Sequence, residues 1–281
     1  MAEQPHRSAT EDELASWREI LAEQPTGWDF SDLEGIRHPE TPWSYETIVR
    51  NLVVTAHRVL DLGTGGGELL ATLADVLPEG TVATEGWAPN VPLARDRLAR
   101  LGIEVVQHHC EEGARLPFED DSVDLILCRH ESFDAADVAR VLAPRGAFLT
   151  QQVGGDDLQE IPAAFGIEPR YPENTLMDAQ NALVRAGLTV ERADVVHDRY
   201  EFADMTTLLR FLRRVPWMAP EGLDADRHRE GLERLAAEFE DGPFTATATR
   251  FVILARKPGE VDEGRTDFSS LPTDDLEVPQ V

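Results

Sequence analysis

The chain is 281 residues long and carries 53 acidic against 26 basic side chains, a formal net charge of −27. That length holds one large domain or two small ones with a sizeable core, and 42% hydrophobic residues exclude a chain disordered throughout. The charge repels phosphate backbones and anionic membrane surfaces, so neither nucleic acid nor a membrane is an expected partner.

The first residues, MAEQPHRSATEDEL, have no basic region followed by an apolar one, so no signal peptide is expected. Thr10 to Glu13 reads as a capping box that opens an amphipathic helix through Leu14, Trp17, Ile20 and Leu21. A Gly/Pro-punctuated stretch with Trp28 leads to Trp43, and a second helix is expected over about 43–57. Strands and helices of about ten residues then alternate: strands at 58–62, 81–85, 103–108, 123–128 and 146–153, helices at 68–77, 91–101 and 134–142. Such alternation implies βαβ units around a parallel sheet. A helix at 175–186, a strand at 188–196, a helical insertion at about 199–240 and a strand at 244–255 complete the domain. Beyond Lys257 the chain is Pro- and acid-rich, seven acids against Arg265, and reads as a disordered or loosely docked tail. No apolar run reaches the length of a membrane span, and the two cysteines, Cys110 and Cys128, make no disulfide scaffold. A cytoplasmic protein, monomeric or homodimeric, is expected. Lys257 is the sole lysine, which suits either salt adaptation or GC-rich coding.

The chemistry-bearing motif is VLDLGTGGGE, residues 59–68. A buried strand runs into Asp61, Gly63, Gly65 and Gly67, and a helix follows at once. Glycines let the backbone turn tightly and approach a ligand, while the helix N-terminus offers free N–H groups. A dinucleotide site would want G-x-G-x-x-G; here the last such position is Glu68, whose carboxylate opposes a pyrophosphate. Glu85 ends the next strand, where an acidic side chain can accept hydrogen bonds from ribose hydroxyls.

With TVATEG (81–86), EEGARLPFEDDSVDLILCRH (111–130) and ARVLAPRGAFL (139–149), these blocks resemble the class I S-adenosylmethionine-dependent methyltransferases. Val123 and Arg145 depart from the family's usual Phe and Gly. The resemblance implies an α/β fold: a doubly wound, Rossmann-like, seven-stranded sheet of order 3-2-1-4-5-7-6 with strand 7 antiparallel. It carries a helical N-terminal extension and a helical lid. Residues 1–57 would form the extension and substrate rim, 58–257 the methyltransferase domain and 258–281 the tail. In that order the strands preceding Cys110 and Cys128 lie too far apart for the two thiols to pair.

The family's donor contacts carry over to Asp61, Gly63, Thr64, Gly65 and Gly67 for the methionine part, Glu85 and Gly86 for the ribose, and Glu112 or Glu111 for the adenine. Arg129 completes the set. His130 is the candidate general base, with Glu131 to orient it; the alternative is that Arg129 and His130 only shape their loop. Trp43, Tyr45, Gln151, Gln152, Arg210 and Trp217 are the candidate acceptor contacts, Arg210 as an anion clamp. Tyr200, Phe202, Phe211 and Met218 are further candidate liners of the lid. His108, His109 and Cys110 alternate in direction on an extended chain, so no metal site is expected. The implied activity is methyl transfer from S-adenosylmethionine to a small molecule by in-line displacement in a lidded pocket (EC 2.1.1.-), with S-adenosylhomocysteine as product. The rivals are a non-catalytic donor-binding protein, a nicotinamide-dependent oxidoreductase, and an RNA or protein methyltransferase.

Overall fold

The computed structural model describes residues 8–23, 33–109 and 115–259. Among them, eight strands share one sheet: β1 (Ile36–Arg37), β2 (Val59–Leu62), β3 (Val82–Glu85), β4 (Glu104–Gln107), β5 (Val123–Arg129), β6 (Leu142–Val153), β7 (Thr189–Phe202) and β8 (Phe244–Arg256). Their spatial order is β1-β7-β8-β6-β5-β2-β3-β4. The ladders joining β2 to β6 are parallel, and β8 runs antiparallel to both β6 and β7. From β4 to β7 this is the anticipated 3-2-1-4-5-7-6 arrangement. The eighth strand was not anticipated. Ile36 and Arg37 pair with Phe202 and Glu201 at the end of β7, and two residues are too few to show a strand period.

The central strands are buried on both faces, so they read as apolar runs rather than alternating ones. One face packs Ile126, Phe148, Phe251 and Ile253 under α5 (Ala135–Val141) and α7 (Leu176–Arg185). The other packs Leu125, Leu127, Leu149 and Val252 under Trp43, Tyr45 and Val49 at the start of α2 (Tyr45–Leu52). Helices α3 (Glu68–Thr72) and α4 (Asn90–Ala99) flank the β2–β4 half. Arg145, near the start of β6, adopts φ 66°, a left-handed conformation that explains why glycine is usual there.

β7 and β8 pair from Thr189↔Arg256 out to Phe202↔Phe244, but β6 pairs with β8 only from Arg250 onward. The far ends of β7 and β8 therefore project beyond β6. The insertion between them spans 203–243, a little shorter than expected because β7 continues through Phe202. It contains α8 (Met205–Arg214) and α9 (Arg229–Ala237). Helix α1 (Glu11–Ala22), opened by the anticipated capping box at Thr10, buries Leu14, Trp17, Ile20 and Leu21 against Leu209, Ala225 and Leu232 of this insertion. The loop after β6 joins the same layer through Leu158, Ile161 and α6 (Glu160–Ala164). Among the described residues no helix is long and apolar enough to cross a membrane.

A buried ion pair ties the projecting strands to that loop. Arg250 Nη1 donates to Asp157 Oδ1 at 2.5 Å and to Thr249 O at 2.8 Å, while Nη2 donates to the Tyr200 hydroxyl at 3.1 Å. Asp157 Oδ1 also accepts the Thr249 N–H at 2.8 Å. Both charged side chains are more than nine-tenths buried. Asp157→Ala leaves an unpaired buried cation and should cost about 3–5 kcal/mol in urea unfolding, whereas Asp157→Leu with Arg250→Met should recover most of that loss.

Lys257 closes the opposite end of β8. Its Nζ donates to Asp121 Oδ1 at 2.6 Å and to the Ala139 and Leu142 carbonyls at 2.7 Å, capping the C-terminal turn of α5. Lys257→Ala should lower stability by about 1–2 kcal/mol in thermal unfolding.

Candidate functional site

The crevice lies beyond the carboxyl ends of β2, β3 and β5, where the sheet reverses its winding direction. The turn after β2 is pinned to β3 by Thr64 N–H to Thr84 O at 2.8 Å and Gly63 N–H to Thr84 Oγ1 at 3.3 Å. Gly63 has φ 64°, and a Cβ there would fall 2.4–2.6 Å from Glu131 side-chain atoms. Any other residue would collide with the Glu131 side chain. Gly67 is likewise left-handed at φ 81° and would strike Leu98 of α4. Arg97 of α4 holds the outer side of the turn by donating to Gly66 O and to the Glu68 carboxylate. Arg97 therefore neutralises Glu68. The case against a pyrophosphate rests instead on the carboxylates inside the crevice.

Three carboxylates line it. Asp61 is buried at the floor, and desolvation, aided by the nearby Glu85, pushes its carboxyl up to about 7 against the pull of the Thr64 hydroxyl and Arg129. Glu85 is buried at the end of β3, where its Oε1 accepts the Trp87 N–H at 2.7 Å. Burial raises its pKa above the usual range, backbone N–H groups oppose the shift, and Glu131 adds to it. Glu131 lies against Gly63, its Oε1 accepting from Ser132 N at 2.9 Å and Oγ at 3.1 Å. Desolvation raises its pKa too. The Tyr45 hydroxyl is buried beside this group without a hydrogen-bond partner, and burial together with Asp61 holds it un-ionised. Thr64 Oγ1 is also buried, beside the Asp61 carboxyl. Arg129 sits over the Tyr45 ring, 5.9 Å from its centroid.

A second group meets beside the first. His130 follows β5 with φ 62°, and its N–H donates to Gln151 O at 2.9 Å. Its Nε2 lies 3.3 Å from Gln151 Nε2, and Gln151 Oε1 accepts the Trp43 indole N–H at 2.8 Å. His130 is exposed at the end of β5. Desolvation, with Arg129 and Arg250 nearby, lowers its pKa to about 3, so the imidazole is neutral.

Most of the anticipated residues converge, but not in all the anticipated pairings. Glu131 does not orient His130; Gln151 does. Gln152 faces away from the crevice and donates from Nε2 to Glu131 O and Thr150 Oγ1, both at 2.8 Å. Arg210 forms no anion clamp, because it pairs with Glu23 at 3.2 Å on the outside of the α1–α8 contact. Trp217 packs on the hydrophobic cluster of Tyr200, Phe202 and Phe211. Glu111, Glu112, Cys110 and Trp28 lie outside the described residues, as do 1–7 and 260–281. Arg250 was missed. Its signal was an arginine in the otherwise apolar and small-residue run of β8. Arg97 gave no signal beyond a place in α4.

A family model described as "Methyltransferase domain" matches residues 59–146. Over 222 residues the chain is 27% identical to a malonyl-[acyl-carrier protein] O-methyltransferase of Methylovorus sp. (strain MP688), covering 71% of this chain and 75% of that protein. It is 33% identical over 100 residues to the uncharacterized methyltransferase YcgJ of Bacillus subtilis (strain 168), covering 33% of this chain and 39% of YcgJ. The crystal structure of that YcgJ protein superposes with a TM-score of 0.53 at 18% identity, covering 76% of this chain and 97% of the other. Residues 59–146 thus match a methyltransferase domain, and the chain as a whole is similar in sequence and in fold to methyltransferases.

Proposed function

We propose that this enzyme methylates a small-molecule acceptor, with the donor held in the β2–β3–β5 crevice and the acceptor enclosed by the N-terminal segment and the 203–243 insertion. The observation that carries this reading is the donor set of the crevice. Asp61, Glu85 and Glu131 face it with Arg129 as the nearest guanidinium. Such a balance suits a cationic ligand with ribose hydroxyls and disfavours a diphosphate. The glycine turn, open at Gly65, and the buried Tyr45 and Thr64 hydroxyls fit the amino-acid end of S-adenosylmethionine. When bound, that molecule supplies an electrophilic methyl group on a sulfonium.

On this reading Asp61, Gly63, Thr64, Gly65 and Gly67 hold the methionine part, and Glu85 and Gly86 the ribose. Glu111 or Glu112 would meet the adenine. The wall formed by Trp43, Gln151, Tyr200 and the projecting ends of β7 and β8 encloses the acceptor and excludes water. The relative's name, a malonyl-group O-methyltransferase, supports an oxygen acceptor. The acidic surface supports a metabolite rather than nucleic acid, in a cytoplasmic monomer or homodimer.

Calorimetry with S-adenosylmethionine or S-adenosylhomocysteine tests the donor site. Glu85→Ala should weaken both at least about tenfold, a loss of about 1.4 kcal/mol; undiminished affinity would remove Glu85 from the site. Asp61 has a raised pKa, so it is protonated and a poor partner for the donor's ammonium below about 7. Donor affinity should therefore rise with pH up to that point and then level off. Asp61→Asn should abolish the rise and fix affinity near its low-pH value.

A further inference from the structure

Resting on the methyltransferase reading above, three side chains identify the class of acceptor. Indole Nε1 has a hydrogen to give and no lone pair to offer. The Gln151 atom 2.8 Å from Trp43 Nε1 is therefore the amide oxygen. That turns the amide nitrogen toward His130 Nε2, 3.3 Å away. An NH2 group donates, so Nε2 accepts and the ring proton resides on Nδ1. Among the described residues Nδ1–H has no hydrogen-bond partner. The charged groups around the ring agree with a neutral imidazole. Arg129 on β5 and Arg250 on β8 both act on it, while Glu131 turns its carboxylate to Gly63 and Ser132.

His130 thus has its lone pair occupied and an N–H to give. A general base needs the reverse. The geometry points to a carboxylate acceptor, gripped by His130 Nδ1–H and methylated without a general base, with Gln151 and Trp43 as the positioning residues that fix the tautomer. A carboxylate is already ionised at neutral pH. One of its oxygen lone pairs forms the O–CH3 bond while the C–S bond breaks, and that bond's electron pair stays on sulfur. The carboxylate and sulfonium charges cancel, giving a methyl ester and a neutral thioether with no proton transferred. A phenol, alcohol or ammonium acceptor must lose a proton, and this ring is not poised to take it.

Two measurements on the full-length protein test this. In the first, NMR of 15N-histidine-labelled protein should show His130 neutral, with its proton on Nδ1, throughout the range over which the protein stays folded. Gln151→Glu, whose carboxylate accepts rather than donates, should move the proton to Nε2. In the second, enzyme at saturating donor is offered the N-acetylcysteamine monothioester of succinate, p-cresol and hexylamine. Only the carboxylate should be methylated, giving a base-labile ester. Its kcat/KM should change by less than about twofold between neutral and mildly alkaline pH. Gln151→Glu should lower that value at least about tenfold while donor affinity stays within about twofold. A proton on Nε2, titration of His130 near its ordinary value, methylation of the phenol or amine, or an untouched carboxylate in protein that binds donor would each overturn the assignment. Absence of donor binding in calorimetry would instead overturn the parent reading, whatever the ring tautomer.

Discussion

Adjacent residues on a strand face opposite ways, and Gln151 and Gln152 use both faces of β6 to hold the turn that follows β5. Gln152 anchors the underside through Glu131 O and Thr150 Oγ1. The Cys128 thiol, donating to Glu131 O at 3.1 Å, reinforces it. Gln151 fixes the upper side through the His130 backbone and ring. Between these supports His130 is kept at φ 62°, a conformation costly for a residue with a Cβ. That strained corner sends the His130 ring one way and the Glu131 carboxylate the other. The first joins Gln151 and Trp43, and the second lies against Gly63. Without the two glutamines neither half of the site would keep its shape.

Charge is distributed on two scales. The whole chain is strongly acidic, yet the cations near the site are placed singly and each has a task. Arg97 braces the glycine turn, Arg129 covers Tyr45, and Arg250 joins three segments through Asp157 and Tyr200. Because Arg250 is buried with its counterion, it adds positive potential at His130 without presenting a free anion site at the surface. Arg210, the candidate clamp of the sequence, faces the other way and, with Arg213, fastens the N-terminal helix through Glu23.

Much of the fold was legible because its signals are local. The glycine-rich turn, the alternation of apolar strands with short helices, and the capping box at Thr10 each depend on neighbours within a few residues. Asp61, Glu85 and His130 were legible for the same reason: each ends a recognisable strand. The pairings were not. Trp43 and Gln151 meet across 108 residues of sequence, and Asp157 meets Arg250 across 93; no local pattern encodes such contacts. Arg210 misled because helix periodicity groups arginines on a face without saying what covers that face. β1 was invisible because two residues cannot display an alternation.

The cap formed by Lys257 has a practical consequence. The chain carries one side-chain amine, and in the folded protein all three of its hydrogens are given to oxygen acceptors across the β8–α5 junction. A reagent that modifies free amines therefore has a single internal target, whose amine must leave these acceptors to react. The rate of that modification is a clock for local opening at the C-terminal end of β8, read from one mass increment on the intact chain.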